Sequence, residues 1–515
     1  MSSGLTAEGK FNKYYSSTVV NKAKEHALWT VPSIMVDPNE AKNGTQQLHY
    51  DYQSAGALLV NNLTSKLAGT LFPTGRPSFK IDINNELTEL AKSAGVSLED
   101  VRRGASALER KATDQLFKNA SLSKLYQAIK LLLVTGNALL YRDPDRQEFL
   151  CWNMHSYVVK RDAYAKPVEV ILKQVVELQD VPHDWQQAYK SQNAGAKGDT
   201  ILNLYTEIVW DWQLDIPTVY TSSTLENVPV GVISSYPVHL CPFVLLAWNV
   251  QIGEHYGRSY VEEYAGDFAK QSLLSEQLGL YELESMRLLN LVDPQSGGDT
   301  DQLQEASTGQ FVTMTANGVT AYDAGDFQKM QAIAASLQEV FQRLSRAFMY
   351  NGMQRQAERV TAEEVREIAN EAESLFGGNY SVLAENLQAP LAYLTMFEVA
   401  MGSASAEAIN SLIQGEYRPV IMTGLKALTQ NAETQNLLRA VQEISVAIGL
   451  TQMSQLYDGD KIIELILQNN SVDSASLEKS PEQLQAEQEQ QQAMMEAQQE
   501  GTRIAQEGML EQAEM

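Results

Sequence analysis

The chain has 515 residues, 44% of them hydrophobic and 20% charged, and this ordinary globular balance excludes a fibre, a collagen and a wholly disordered chain. Its 64 acidic and 39 basic residues give a formal net charge of −25, which argues against holding nucleic acid by phosphate neutralisation. Such a protein can still surround nucleic acid without binding it tightly. The length allows about three domains of average size.

Cysteine usage and hydropathy predict a soluble intracellular protein. Cys151 and Cys241 lie in apolar sequence, which is typical of buried free thiols in a reducing compartment. The start of the chain lacks the charged-then-apolar pattern of a signal peptide. Apolar runs such as Leu131–Val134 and Phe243–Trp248 are too short to span a bilayer, so we expect no membrane partner.

The first half of the chain mixes helical and strand patterns. Apolar residues at helical spacing predict helices over Tyr52–Leu71, Val101–Lys118 and Ser121–Val134. Alternation and β-branched runs predict strands over Tyr157–Lys160, Val168–Val176, Ile201–Trp212, Thr218–Ser222 and Phe243–Val250. This part of the chain is therefore predicted to be α+β, whereas the rest is mainly helical.

A long helix, a compact insertion and a returning helix are predicted after Gly257. Ser259–Leu291 contains no proline and repeats apolar residues at helical spacing, and Phe327–Met349 repeats the pattern. The insertion between them, Val292–Gly325, contains neither Lys nor Arg but has five acidic residues: Asp293, Asp299, Asp301, Glu305 and Asp323. These acids form either a solvated surface or a docking face for a basic partner.

A tight hairpin is predicted inside this insertion. Asn317-Gly318 is a strong turn signal, and it lies between the strand-like segments Phe311–Thr315 and Val319–Tyr322. We expect these two segments to pair with each other.

A polar loop over Asn351–Val360 follows the second helix. It contains Arg355 and Arg359, which either contact phosphates or simply solvate a connection. Thr361 and Glu364 then form a capping box that starts another helix, and Pro390 is expected to kink it.

The last part of the chain changes in composition. Helical patterns continue from about Gly402 to about Asn470. Residues 476–515 contain ten Gln and nine Glu but two basic residues, a bias that favours disorder.

Signatures of enzyme sites are sparse. The sequence has neither a phosphate-binding loop nor a dinucleotide or nucleophile-elbow motif, and its six histidines are scattered, so no cofactor or metal is expected. Asp143 with Asp145, and Asp458 with Asp460, either hold Mg²⁺ or form solvated turns. One alternative function is thus a metal-dependent nuclease or hydrolase that uses Asp143, Asp145 and His155.

Several motifs in order resemble one family. They are Asn61–Leu67 with Leu71–Pro73, Gly136–Tyr141, Ser156–Asp162, His255–Asp267, Glu358–Arg366 and Gly377–Leu383. Together, over roughly Tyr52–Leu394, they resemble the head-to-tail connector (portal) proteins of T7-like podoviruses. The resemblance implies a dodecameric ring around a channel, at one vertex of the capsid of a virion assembled in the host cytoplasm.

The resemblance also implies a portal fold with a fixed order of domains. By residue number these are a wing (1–257, strand-rich over about 139–250), stem helix 1 (258–291), a clip (292–326), stem helix 2 (327–350), a tunnel loop (351–361), a long kinked helix that joins wing to crown (362–402), a helical crown (403–475) and the Gln/Glu-rich tail (476–515). The tunnel loop places these residues next to DNA in the channel: Asn351, Gly352, Met353, Gln354, Arg355, Gln356, Ala357, Glu358 and Arg359. The five acids of the insertion become the clip docking surface.

Partners follow from the same resemblance. The ring is expected to nucleate procapsid assembly with the major capsid and scaffolding proteins, to pass double-stranded DNA during packaging and ejection, to dock the terminase large subunit and then a tail adaptor protein, and to lie near internal core proteins. ATP hydrolysis must come from the separate terminase motor, because the chain has no phosphate loop. A third class, a helical cytoplasmic scaffold, predicts rods instead of rings, and the strand-rich first half argues against it.

Overall fold

The computed structural model describes most of the chain up to residue 421. It covers residues 5–38, 48–72, 79–82, 98–118, 121–286, 288–295, 297–307, 310–311, 313–315, 317–323, 327–350, 383–403, 406–415 and 418–421, with the isolated helical positions 368, 371, 374, 439 and 442. The predicted tunnel loop and the Gln/Glu-rich tail lie outside these residues, so those two predictions stay predictions.

The chain divides into two compact units. One comprises Met1–Leu87 and Leu108–Leu428, and the other comprises Thr88–Ala107 and Thr429–Met515. The sites discussed below all lie in the first unit.

The helices are, in chain order, α1 Ala7–Tyr14, α2 Ser17–Trp29, α3 Ala55–Leu71, α4 Leu98–Leu116, α5 Ser121–Thr135, α6 His183–Gln192, α7 Tyr260–Glu263, α8 Ala265–Ser285, α9 Thr300–Glu305, α10 Phe327–Ala347, α11 Ala389–Ser403 and α12 Ala406–Gln414. Short 3-10 turns occur at Pro32–Met35, Leu178–Asp180 and Val238–Leu240, and a π-helical turn at Ala384–Gln388. This π turn comes just before Pro390, whose missing N–H interrupts the regular helical hydrogen bonds there.

The strands are β1 Phe79–Asp82, β2 Asn137–Arg142, β3 Phe149–Trp152, β4 Tyr157–Arg161, β5 Pro167–Glu177, β6 Ile201–Asp211, β7 Thr218–Leu225, β8 Val228–Pro237, β9 Phe243–Ala247, β10 Leu288–Val292, β11 Val319–Asp323 and β12 Arg418–Ile421. They form an antiparallel sheet β4-β5-β6-β7-β8, a second sheet β3-β2-β9, and the pairs β1-β12 and β10-β11. The three predicted helices and five predicted strands of the first half are confirmed, with ends that shift by a few residues.

Strand alternation builds the core of the first half. Val170 and Leu172 of β5 face a cluster that includes Leu139 of the second sheet. Ile171, between them, points to the other face, where Phe11 of α1 covers it. Because successive side chains of a strand point to opposite faces, the large sheet is covered on both faces at this part of β5.

The helix predicted over Ser259–Leu291 begins as predicted, but it is interrupted near its start and ends early. A short helix α7 is followed by Tyr264, which leaves helical geometry with φ −112 and ψ 17, and α8 then ends at Ser285. Leu288–Val292 forms a strand instead of the last helical turns. A short apolar run does not separate strand from helix by periodicity, and here an available strand partner decides the outcome.

The hairpin predicted around Asn317-Gly318 is also wrong. Val319–Asp323 is a strand as expected, but it pairs antiparallel with Leu288–Val292. Phe311 and the described residues 313–315 are not in a strand. The strand pair therefore closes the base of the insertion, where α8 ends and α10 begins.

The helix predicted over Phe327–Met349 is confirmed as α10, whereas the helical pattern predicted after Gly402 is interrupted. Arg418–Ile421 is a strand that pairs antiparallel with Phe79–Asp82. Pro419, which cannot donate a hydrogen bond, is tolerated there because β12 is at the edge of a two-stranded sheet. Both cysteines are free, as predicted.

Candidate functional site

Helices α8 and α10 lie side by side as an antiparallel pair. Arg343 of α10 reaches across to Asp267 of α8 at 2.7 Å and also contacts Glu339 at 3.2 Å. The rings of Phe268 and Phe348 are 5.5 Å apart, edge to face. The start of one helix is therefore held against the end of the other.

An aromatic cluster surrounds this contact. Tyr260, Tyr264 and Phe348 have ring centroids 5.1–5.8 Å apart. Trp248 contacts Tyr260 in a tilted arrangement, with ring centroids 5.9 Å apart. Burial raises the pKa of the Tyr260 phenol. Edge-to-face rings at these distances fix relative orientation as well as burying area, so the base of the helix pair is rigid.

The segment just before α7 is in close contact with the start of β2, and this contact joins the helix pair to the sheets. The Asn137 side chain exchanges hydrogen bonds with the backbone N–H and C=O of Gly257, at 2.7 and 2.8 Å. A Cβ on Gly136, which has φ +75, would meet the Gly257 carbonyl at 2.5 Å, so glycine is required there.

Ser259 then starts α7. Its hydroxyl accepts the Glu262 N–H at 3.0 Å, the bond of an N-cap, and lies 3.2 Å from Nδ1 of His26 in α2. Burial lowers the pKa of His26. A buried imidazole thus supports the residue at which the chain enters the helix pair.

One side of α8 exposes large apolar side chains. Leu273 and Leu280 are 57% and 53% exposed, and they are seven residues apart, so they lie on the same face. Leu283 and Met286 continue the exposed apolar surface toward the insertion. In the part of α10 whose side chains are described, no large apolar residue is exposed to this degree.

The predicted docking acids differ in what their carboxylates do. Asp293 accepts the backbone N–H of Gln295 at 2.9 Å, and Asp299 accepts that of Asp301 at 3.1 Å, so both hold local turns. Asp301 and Glu305 are exposed on α9. Asp323 lies in β11, opposite Leu288.

An aromatic residue of the insertion was missed by sequence reasoning. Phe311 is fully exposed, at 102% of the reference area. Its strand-like surroundings suggested a paired, half-buried position, and no local signal in the sequence marks it as a surface residue. The insertion thus combines exposed carboxylates with an exposed ring.

Residues 351–359, including Arg355 and Arg359, lie outside the described residues. The described chain before them ends at Tyr350, just after α10. The last residues of α10 are held by side chains of α3 and α7, and this contact is taken up below.

The residues of the alternative hydrolase site have other partners. The Asp143 carboxylate accepts the N–H groups of Asp145 and Arg146 at 2.9 and 3.1 Å, which makes it a turn residue between β2 and β3. His155 lies 3.7 Å from Asp37. Among the residues that the structure describes, no group of three or more His, Cys, Asp or Glu is placed to hold a metal ion.

Comparison with known proteins identifies the family. Residues 10–477 match the family described as "Bacteriophage head to tail connecting protein". The chain belongs to this family. The connector is 43% identical to the portal protein of Pseudomonas phage phiKMV over 94% of its own length and 93% of the relative's. It is 31% identical to the portal protein of Escherichia phage T7, over 82% of this chain and 78% of that one.

A solved structure also resembles the connector. A chain in the neck of an empty gene transfer agent (GTA) particle aligns with a TM-score of 0.37 and 14% identity, over 80% of this chain and 90% of that chain. Within the described residues, no helix is long and apolar enough to cross a membrane. The predicted family is confirmed, and the connector's function is that of a portal protein at the junction of phage head and tail.

Proposed function

We propose that the connector works as a dodecameric ring at one capsid vertex, with α8 and α10 as the stem around a DNA channel. The observation that carries this proposal is the exposed apolar face of α8 at Leu273 and Leu280. Contiguous exposed apolar surface marks an interface, and a family of head-to-tail connectors makes a second copy of the chain the natural partner. A ring requires one patch to meet a different patch of the next copy, which is a heterologous contact.

Negative-stain microscopy with end-on class averages tests the ring. We expect the wild-type chain to form rings whose open centre is at least about 20 Å across, which is wide enough for duplex DNA. Leu280→Glu places a charge in the apolar contact and should leave free subunits. Gln192→Glu, at an exposed position of α6 outside the proposed stem, adds the same charge away from this face and should retain rings. Rings in both variants would refute the role of this face.

The charges of the stem support passage of DNA without tight binding. Arg343 is neutralised by Asp267 and Glu339, and so is not available as a free phosphate contact. Affinity for DNA rises with each phosphate that a free Lys or Arg neutralises. We propose that Asn351–Arg359 forms the tunnel loop and supplies the channel contacts through Arg355 and Arg359.

Packaging of DNA tests the loop. Arg355→Gln with Arg359→Gln should leave ring formation intact and change the amount of DNA packaged per particle, because the two guanidinium groups are lost from the channel but not from the ring contact. Unchanged packaging would contradict the proposal for these residues.

The insertion is the proposed clip, where a terminase large subunit and then a tail adaptor dock. Asp301 and Glu305 are exposed, and Phe311 of the same insertion is the type of aromatic side chain that dominates binding energy when it enters a partner's pocket. The absence of Lys and Arg from 292–325 favours a basic partner.

Adaptor binding by calorimetry tests the clip. Asp301→Asn with Glu305→Gln should weaken binding at low salt and flatten its salt dependence. Asp299 and Asp293 are left unchanged because their carboxylates hold turns. Affinity that stays equal at low salt would contradict the electrostatic role. We propose that the wing and crown contact the remaining partners during procapsid assembly in the host cytoplasm. These partners are the capsid, scaffolding and internal core proteins.

A further inference from the structure

The C-terminal end of α10 has an unusual set of hydrogen bonds. The Tyr350 N–H donates to Ser345 O at 2.7 Å and the Met349 N–H to Arg346 O at 3.3 Å, which together form a Schellman motif. The left-handed position of this motif is usually glycine, but here it is Met349, with φ 54. Its side chain is fully buried, so the strained backbone is held by packing.

Side chains from other helices reach three carbonyl groups at the end of α10, those of Ala347, Phe348 and Met349. The Tyr260 hydroxyl donates to Ala347 O at 2.8 Å. Asn62 Nδ2 donates to both Phe348 O and Met349 O at 3.2 Å. Lys66 Nζ also donates to Met349 O. Helix ends normally leave such carbonyls to water, so donation from two other helices is a built contact.

The donors are themselves firmly placed. Asn62 and Lys66 are one helical turn apart on α3, and they adjoin the fully buried row Leu59, Leu63 and Leu67. The Lys66 ammonium also lies at the C-terminal end of α10, where its positive charge interacts favourably with the negative end of the helix dipole. We call Asn62, Lys66 and Tyr260 the helix-end anchor.

We propose that the helix-end anchor is a positioning device, which fixes the point and direction at which the chain leaves α10 after Tyr350. This inference rests on the proposed function, in which the residues that follow face DNA in the channel. The anchor ties the point at which the chain leaves α10 to α3. A force that moving DNA applies to the following residues is therefore passed to the body of the subunit and not along α10. Asn62 and Lys66 act through backbone carbonyls and touch no DNA.

Hydrogen exchange of the full-length chain tests the anchor directly. Asn62→Ala and Lys66→Met should each raise amide exchange at residues 348–350 about fivefold, which is the effect expected from loss of one net hydrogen bond. Asn61→Ala is the matched control, since Asn61 is the preceding residue and is exposed. Lys66→Arg keeps a charged donor and should stay close to wild type. Unchanged exchange at residues 348–350 in both test variants would overturn the anchor.

Packaging in phage tests the positioning role. Asn62→Ala should form rings as the wild type does and should package less DNA per particle, and Lys66→Arg should restore most of the loss seen with Lys66→Met. Raised exchange with unchanged packaging would overturn the positioning role. A wild-type chain that forms no rings would refute the proposed function, whereas the exchange measurement would still decide whether the anchor exists.

Discussion

The sheets of the first half bury apolar surface between them, whereas the helix pair α8–α10 exposes it. Leu139 and Leu172 are at most 1% exposed, because the two sheets cover one another within a single chain. Leu273 and Leu280 of α8 are more than half exposed. The surface between the two sheets is therefore buried within one subunit, whereas the helix pair leaves apolar surface for a neighbour.

Charged groups repeat the contrast. Arg142 of β2 is 1% exposed, and it makes two hydrogen bonds to Glu398 of α11, at 2.9 and 3.0 Å. The pair of Arg343 with Asp267 on the stem is open to solvent. Buried pairs hold elements together because neither charge can be left alone, whereas exposed pairs exchange readily with water. The first half is thus built for rigidity and the stem for contact.

The largest effect is expected from breaking the buried pair. Arg142→Met leaves the Glu398 carboxylate buried without its main partner, so we expect a loss of about 3–5 kcal/mol in the free energy of unfolding, measured in urea. Arg343→Met, the matched change in the exposed pair, should leave that free energy nearly unchanged. Equal losses in the two variants would remove the contrast between the regions.

The next effect separates a core leucine from an interface leucine. Leu172→Ala opens a cavity in the large sheet and should cost about 2–5 kcal/mol of unfolding free energy. Leu280→Ala should leave the unfolding of the free subunit unchanged and raise the protein concentration at which rings form, as followed by light scattering. A stability loss in Leu280→Ala as large as that in Leu172→Ala would mean that α8 buries this face within the subunit.

The pH dependence of stability tests a buried carboxyl of α4. Glu109 accepts the Ile81 N–H of β1 at 2.7 Å, and burial raises its pKa from 4.5 to about 7 despite that bond and the nearby Lys80 and Arg110. Between these two pH values the folded state binds more protons than the unfolded state. Stability should therefore fall as the pH rises from about 4.5 to about 7, by at most about 3 kcal/mol, and level off above that.

Glu109→Gln removes the titrating group, so this decline should disappear when urea unfolding is compared at about pH 5 and about pH 8. Glu339→Gln, at an exposed position of the stem, serves as the control and should keep the decline. A decline of the same size in Glu109→Gln would assign it to another group.

Local patterns sufficed for much of the fold and failed where a distant partner decides. Strands β4 to β7 follow from alternation, but β8 was missed because a bulge opposite Ser222 exposes Val232 and Ile233 in succession. Strands β10 and β12 were read as helix because their partners lie far away in sequence. No single-residue signal reports such pairing.

The candidate sites also combine features that the sequence predicts with features that depend on the folded chain. The apolar spacing of the sequence located most of the helix pair α8–α10, and the acids of the insertion could be counted from the sequence. The roles of Asp293 and Asp299 as turn residues depend on backbone geometry that a residue count does not contain. Asn62 lies in a motif that the resemblance includes, but its contact with Phe348 O requires the folded chain.

The smallest effect is expected where the two regions join. Ser259→Ala removes the N-cap of α7 and the contact with His26, and should cost about 1 kcal/mol of unfolding free energy. Thr6→Ala removes the equivalent cap of α1, a 3.2 Å bond from the Gly9 N–H, and should cost a similar amount. Only the Ser259 change lies at the entry to the stem, so it alone should lower the yield of closed rings, counted by electron microscopy at matched stability. Equal ring yields would mean that the Asn137–Gly257 contact sets the entry angle of the stem without help from the cap.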